Sequence, residues 1–187
     1  MEASLKSEMI PADEYLAGET LADSKHEFVA GHVYAIAGAS EEHNIIAGNL
    51  FALLHAHLRG KPCRVFSGDM KVRLLVAGTD IFYYPDLMVA GDRRDTDRYF
   101  KRSPRVLVEV LSEATERTDR REKFLSYTQI ESLEEYVLVA QDAMEVTVFR
   151  RSQQWQPEVL NRRDLPFRLP SVDFPTTLDP IYERVRI

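Results

Sequence analysis

Two strand-like runs in this chain each carry an acid where an apolar residue is expected. "YYPDLMVA", residues 83–90, sets Asp86 behind Pro85, and "RVLVEVL", residues 105–111, sets Glu109 among valines and leucines. An ionised carboxylate taken into an apolar interior is costly unless something compensates it. If 81–90 and 104–111 pair as an antiparallel hairpin across the 91–103 loop, a turn centred near 97 or 98 puts Asp86 opposite or close to Glu109. Directly opposed side chains stand about 5 Å apart at Cβ. Two carboxylates at that distance repel, so one takes up a proton or a cation bridges them. Mg²⁺ suits such a pair, because it takes one or two carboxylates and fills its other positions with water, carbonyl and phosphate oxygens. A plainer reading pairs each acid with a nearby arginine, such as Arg73 or Arg105.

Period-two geometry puts residues 105, 107, 109 and 111 on one strand face. A metal-dependent hydrolase benefits from a cation beside Glu109, but position 111 is Leu111. The nearest lysine along the chain is Lys123, on a helical stripe with Tyr127 and Ile130. It either reaches back over the strand end, or snorkels, or pairs with Asp119 four residues earlier.

The rest of the chain supplies a domain around these strands. Its 187 residues suit one domain, residues 1–187, and its 44% apolar and 29% charged content is that of a soluble globular protein. A net charge of −6 argues against coating nucleic acid by bulk charge. Single Cys63 excludes an internal disulfide framework and a multi-cysteine zinc site. With no membrane-length apolar run and no signal-peptide core, the expectation is a cytoplasmic protein.

"IPADEYLAG" reads as a short helix after Pro11, and "HEFVAGHVYAIAG" as a hairpin turning at Ala30-Gly31. Ser40 caps a helix that Gly60 ends. Strand-like runs follow at 63–66, 70–77, 81–90 and 104–111. A helix begins near Asp119, as N-cap with Glu122 as capping-box partner, and runs to about Ile130. "EEYVLVAQDAMEVTVFRR" is a second hairpin, and the proline-punctuated C-terminal segment is expected to wrap the edge. The fold class is α/β or α+β with a mixed sheet.

The ordered series "KHEFVAGHVYAIAGASEEHNIIAGNL", "YYPDLMV", "PRVLVEVLSEAT", "DRREKFLSY" and "EEYVLV" resembles the Uma2 family (DUF820) of restriction-endonuclease relatives, within the PD-(D/E)XK nuclease superfamily. The resemblance covers roughly residues 10–180. It implies a central mixed sheet flanked by helices, Mg²⁺ (or Mn²⁺) catalysis and phosphodiester hydrolysis in DNA. Asp86 matches the PD aspartate and Glu109 the second acid, both as metal ligands, with the Val110 carbonyl beside them. The lysine of the E-x-K triplet is absent from Glu109-Val110-Leu111, and Lys123 on the next helix is its natural substitute. Glu27, on the first hairpin, matches an acid that completes the metal shell, and His43 matches the family's helix histidine.

Other readings stand beside these. His43 lies on a stripe with Ala47, Leu50 and Leu54 that suits a packed histidine, and Glu27 suits pairing with Lys25. Ser112 suits the start of a loop. The loop "GDRRDTDRYFKRSPR" suits either a path along a DNA backbone or an ordinary solvated surface. The wide apolar face of the 41–58 helix points to a homodimer. Leu111 leaves room for a catalytically inactive module that binds nucleic acid or protein.

Overall fold

The computed structural model describes residues 9–36, 38–112 and 115–187. α1 (Ala12–Glu19) leads into β1 (His26–Val29), β2 (His32–Ala35) and α2 (Glu41–Leu58). β3 (Arg64–Ser67), β4 (Lys71–Val76), β5 (Thr79–Tyr83) and β6 (Leu87–Ala90) follow, with the short β7 (Phe100–Lys101) before β8 (Pro104–Leu111). α3 (Glu116–Thr118), a π-helical turn (Asp119–Lys123) and α4 (Phe124–Tyr127) run on without a break to a loop. β9 (Glu135–Ala140), β10 (Val146–Arg150), β11 (Pro157–Leu160), β12 (Pro166–Leu169) and β13 (Phe174–Thr177) complete the order.

The first hairpin turns where its sequence says. Ala30 (φ 52°) and Gly31 (φ 91°) both enter the left-handed region that a two-residue turn between twisted strands requires. Ser40 caps α2 by accepting the His43 N–H at 3.1 Å, and Gly60 (φ 76°) stands just past its end.

The strands form a six-stranded mixed sheet, β11-β10-β9-β8-β6-β3, and a five-stranded sheet, β2-β1-β5-β4-β7, with β12 and β13 as a separate pair. In the six-stranded sheet only β8 and β9 are parallel. Alternation along β8 divides the interior. Val106, Val108 and Val110 face α2, while Leu107 and Leu111 face the five-stranded sheet and the helix carrying Tyr127. Glu109 shares the second face and is 3% exposed.

Three expectations are corrected. The 81–90 run is not one strand: β5 ends in the five-stranded sheet and β6 begins in the six-stranded one, with Tyr84-Pro85-Asp86 crossing between them. Pro85 has no N–H for a ladder, so the break falls at the proline. The 119–130 helix starts earlier, with Thr115 at its N-cap position, so Asp119 lies inside the helix rather than at its cap. The C-terminal segment does more than wrap an edge. Phe167, Leu169, Phe174, Leu178, Ile181 and Tyr182 are buried in the same core as Leu50 and Leu54 of α2. Asn49 donates to the Ile181 and Glu183 carbonyls at 3.0 and 2.9 Å. Ile46, Leu50, Leu54 and Leu58 of the α2 apolar face are thereby packed within the chain, with Ala47, Phe51 and Leu53 half-buried beside them.

The 91–103 loop is held by its own aspartates. Asp95 accepts the Arg102 and Ser103 N–H groups at 2.6 and 3.0 Å, Asp97 accepts the Tyr99 N–H, and Asp92 pairs with Arg94. Among the described residues no helix is long and apolar enough to cross a membrane.

Candidate active site

The β6–β8 register, Leu87↔Val108 and Met88↔Leu107, continues to bring Asp86 level with Glu109 at the sheet end. The Val110 N–H donates to Asp86 Oδ2 at 2.7 Å, which ties the crossing segment to the strand. His43, from the first turn of α2, places Nε2 3.2 Å from that same oxygen. Burial works against a charged His43 ring. The Asp86 hydrogen bond and charge, helped by Asp119 and a hydrogen bond to the Val110 main chain, outweigh it, so its pKa is raised. The stripe with Leu50 and Leu54 is real, yet its first member ends at the site.

Lys123 is the centre of a second group. Its Nζ lies 3.1 Å from Glu27 Oε1, 3.2 Å from Glu109 Oε1 and 3.2 Å from Asp119 Oδ1. It also stands 5.5 Å from the Tyr83 ring centroid, a cation over an aromatic face. Tyr127 donates its hydroxyl to Glu109 Oε1 at 2.8 Å, in the fully buried floor. The side chain of Lys123 thus crosses to the position that Leu111 leaves without a cation. Burial opposes its charge, but Glu109, Glu27 and Asp119 hold it protonated. Burial pushes Glu109 up; Lys123 pulls it down, and Asp119, Asp86 and Glu27 raise it further.

The plainer pairings of these acids do not form. Arg73 pairs with Asp80, Arg105 donates to the Ser171 carbonyl, and Lys25 pairs with Asp69. Ser112 hydrogen bonds with Thr115, just before α3.

Glu27, His43, Asp86, Glu109, Val110 and Lys123 all line one cleft of about 760 Å³. Asp119 and Tyr127 belong to the constellation and were not singled out as site residues. Their signal is the i, i+4, i+8 spacing of Asp119, Lys123 and Tyr127, one helical face carrying three polar groups toward the core.

Whether these residues suit a divalent cation can be tested on their charge. Five carboxylates, Glu27, Asp86, Glu109, Asp119 and Glu122, line the cleft against the ammonium groups of Lys25 and Lys123 and one histidine, His43. Asp119 Oδ1 is buried without a hydrogen bond, although Lys123 is near it. That excess of hard oxygen donors over counter-charge is chemically compatible with a hard divalent cation. Glu27, Glu109 and Asp119 converge on Lys123 rather than on one another. Among the described residues no group of three or more His, Cys, Asp or Glu side chains is disposed to hold an ion unaided.

Known proteins resemble the chain along nearly its whole length. The crystal structure of a protein from Anabaena variabilis, described as "a putative nuclease belonging to DUF820", superposes with a TM-score of 0.75 at 17% identity, covering 95% of this chain and 99% of that one. At that identity the likeness speaks for the fold, a nuclease-type arrangement of mixed sheets flanked by few helices. Two Synechocystis sp. proteins, both described as uncharacterized, are nearer in sequence. Protein slr1290 is 32% identical over 172 residues, 91% of this chain and 90% of its own length. Protein sll1609 is 33% identical over 154 residues, 80% of this chain and 86% of its own length. The family model described as "Putative restriction endonuclease" matches residues 12–176, from the first helix through the buried acids to the last strand pair. The chain belongs to the Uma2 family.

Proposed function

We propose that this chain is a cytoplasmic, metal-dependent endonuclease that hydrolyses phosphodiester bonds in DNA, acting as one domain. The observation that carries the proposal is that Asp86, on the segment entering β6, and Glu109, on the neighbouring β8, line one cleft, with the Lys123 ammonium on Glu109.

Asp86 and Glu109 would hold Mg²⁺ or Mn²⁺, with the Val110 carbonyl beside them and Glu27 completing the shell. When bound, such an ion polarises the phosphate and makes a coordinated water more acidic. Lys123 then does what a strand lysine would do: it orients the attacking water and offsets charge gathering on the phosphate oxygens. His43 holds Asp86 by one oxygen and lines the cleft beside it. Tyr127 fixes the rotamer of Glu109 through its hydroxyl.

Cleavage of supercoiled plasmid in Mg²⁺ or Mn²⁺ tests the reading. Wild type should nick or linearise the plasmid, and Glu109→Ala and Lys123→Ala should not. Wild-type protein that binds a divalent ion and leaves DNA intact would favour an inactive binding module, the reading that Leu111 supports. Cleavage retained in Lys123→Ala would remove that lysine from the chemistry.

A further inference from the structure

The cleft has a wall that the chemistry above does not use. Tyr34 pairs directly across the first hairpin with Glu27, so both side chains project from the same face. Tyr34 lines the cleft, yet it is 54% exposed, a large aromatic ring open to solvent beside a proposed catalytic acid. It sits on β2, which among the described residues is the edge strand of its sheet. The described residues Ala35, Ile36, Gly38 and Ala39, small or apolar, line the cleft beside it.

The cleft is also poor in free positive charge. Its lysines are Lys25 and Lys123, and both are already engaged, Lys25 with Asp69 and the Gly68 carbonyl and Lys123 with three acids. Duplex DNA is held mainly by cations that neutralise phosphates, and this site offers few. A single strand depends less steeply on such neutralisation than a duplex does, and stacking on an aromatic ring adds affinity for a base that is not already stacked in a duplex.

We infer that the Tyr34 ring is the stacking platform for an unpaired nucleobase next to the scissile phosphate, so the enzyme acts on single-stranded or locally unwound DNA in preference to duplex. The inference rests on the nuclease reading and narrows its substrate.

The test uses the whole protein in EDTA, where no divalent ion supports hydrolysis and binding is read by itself. The probe is an oligothymidine carrying one 2-aminopurine, alone and annealed to its complement. Binding should be tighter for the single strand, with the 2-aminopurine emission quenched by the stacked ring. Tyr34→Ala should weaken single-strand binding about tenfold or more and abolish the quench. Tyr34→Phe should retain both. Val33→Ala, at an exposed apolar neighbour on the opposite strand face, should bind as wild type does. Equal binding of single strand and duplex, or a Tyr34→Ala protein of wild-type melting temperature that still quenches and binds, would overturn the inference. Because plasmid cleavage is scored separately, a protein that stacks the probe but never cleaves would fail the nuclease reading alone.

Discussion

Lys123 Nζ lies 3.2 Å from Glu109 Oε1, so a helix delivers to the buried acid the cation that its own strand lacks at Leu111. The same ammonium touches Glu27 and Asp119, which makes one lysine the counter-charge for three acids drawn from β1, β8 and the π-helical turn. Removing it strands those acids in a buried place.

Lys123→Met should therefore lose stability as well as activity. Breaking a buried pair by deleting one partner costs about 3–5 kcal/mol, because the other charge is left uncompensated. Urea denaturation in EDTA reads the cost. A loss below about 1 kcal/mol would mean that the acids are already neutral without the lysine.

Asp119→Asn should move in the opposite direction. Burial raises the Asp119 pKa, with Asp86 adding to the shift, although Lys123 and Thr115 oppose it. An amide relieves the crowding of acids in metal-free protein, with an expected gain of about 1 kcal/mol, while plasmid cleavage falls. Thermal denaturation with and without Mg²⁺ should show a higher melting temperature for the variant and a smaller rise when the ion is added.

Tyr127→Phe removes the hydroxyl that Glu109 accepts at 2.8 Å. Leaving a buried acceptor without its donor costs about 1–3 kcal/mol, and the variant should lose a comparable amount. Cleavage should fall without vanishing, since Tyr127 positions Glu109 and does not itself face the phosphate.

Glu135 gives a pH-dependence remote from the cleft. Burial raises its pKa, although the Ser171 N–H at 3.0 Å and the Ser171 hydroxyl both donate to it. The folded protein keeps this proton at pH values where the unfolded chain has released it. Stability from this group is thus full below the ordinary glutamate pKa and is lost as pH rises through the raised one. Relative to wild type, Glu135→Gln should become more stable as pH climbs through that window. Urea denaturation from about pH 4 to 8 should show the difference growing and then levelling.

The pairing of the two acids was legible because antiparallel register is fixed by the loop between the strands, and because a carboxylate in a valine-leucine run stands out. Lys123 was legible for the same reason, a charged residue on an apolar helical stripe. The split at Pro85 was not: both halves of 81–90 are apolar enough to be strand, and only the proline hinted that they serve different sheets. Asp119 was misread because an acid three residues before a glutamate resembles a capping box, while the true start near Thr115 lacks a side-chain cap. The C-terminal segment looked peripheral because its prolines interrupt periodicity, yet Phe167, Leu178 and Ile181 complete the core over α2.

The most direct measurement is a calorimetric titration of Mn²⁺ or Mg²⁺ into wild type and Asp86→Ala. Asp86 lies at the edge of the buried group, 22% exposed and held by His43 and Val110, so its removal should spare the fold. Saturable divalent binding in wild type, abolished in a folded Asp86→Ala protein, is the expected result. Absence of binding in wild type, or equal binding in both, would contradict a metal-dependent site built on Asp86 and Glu109.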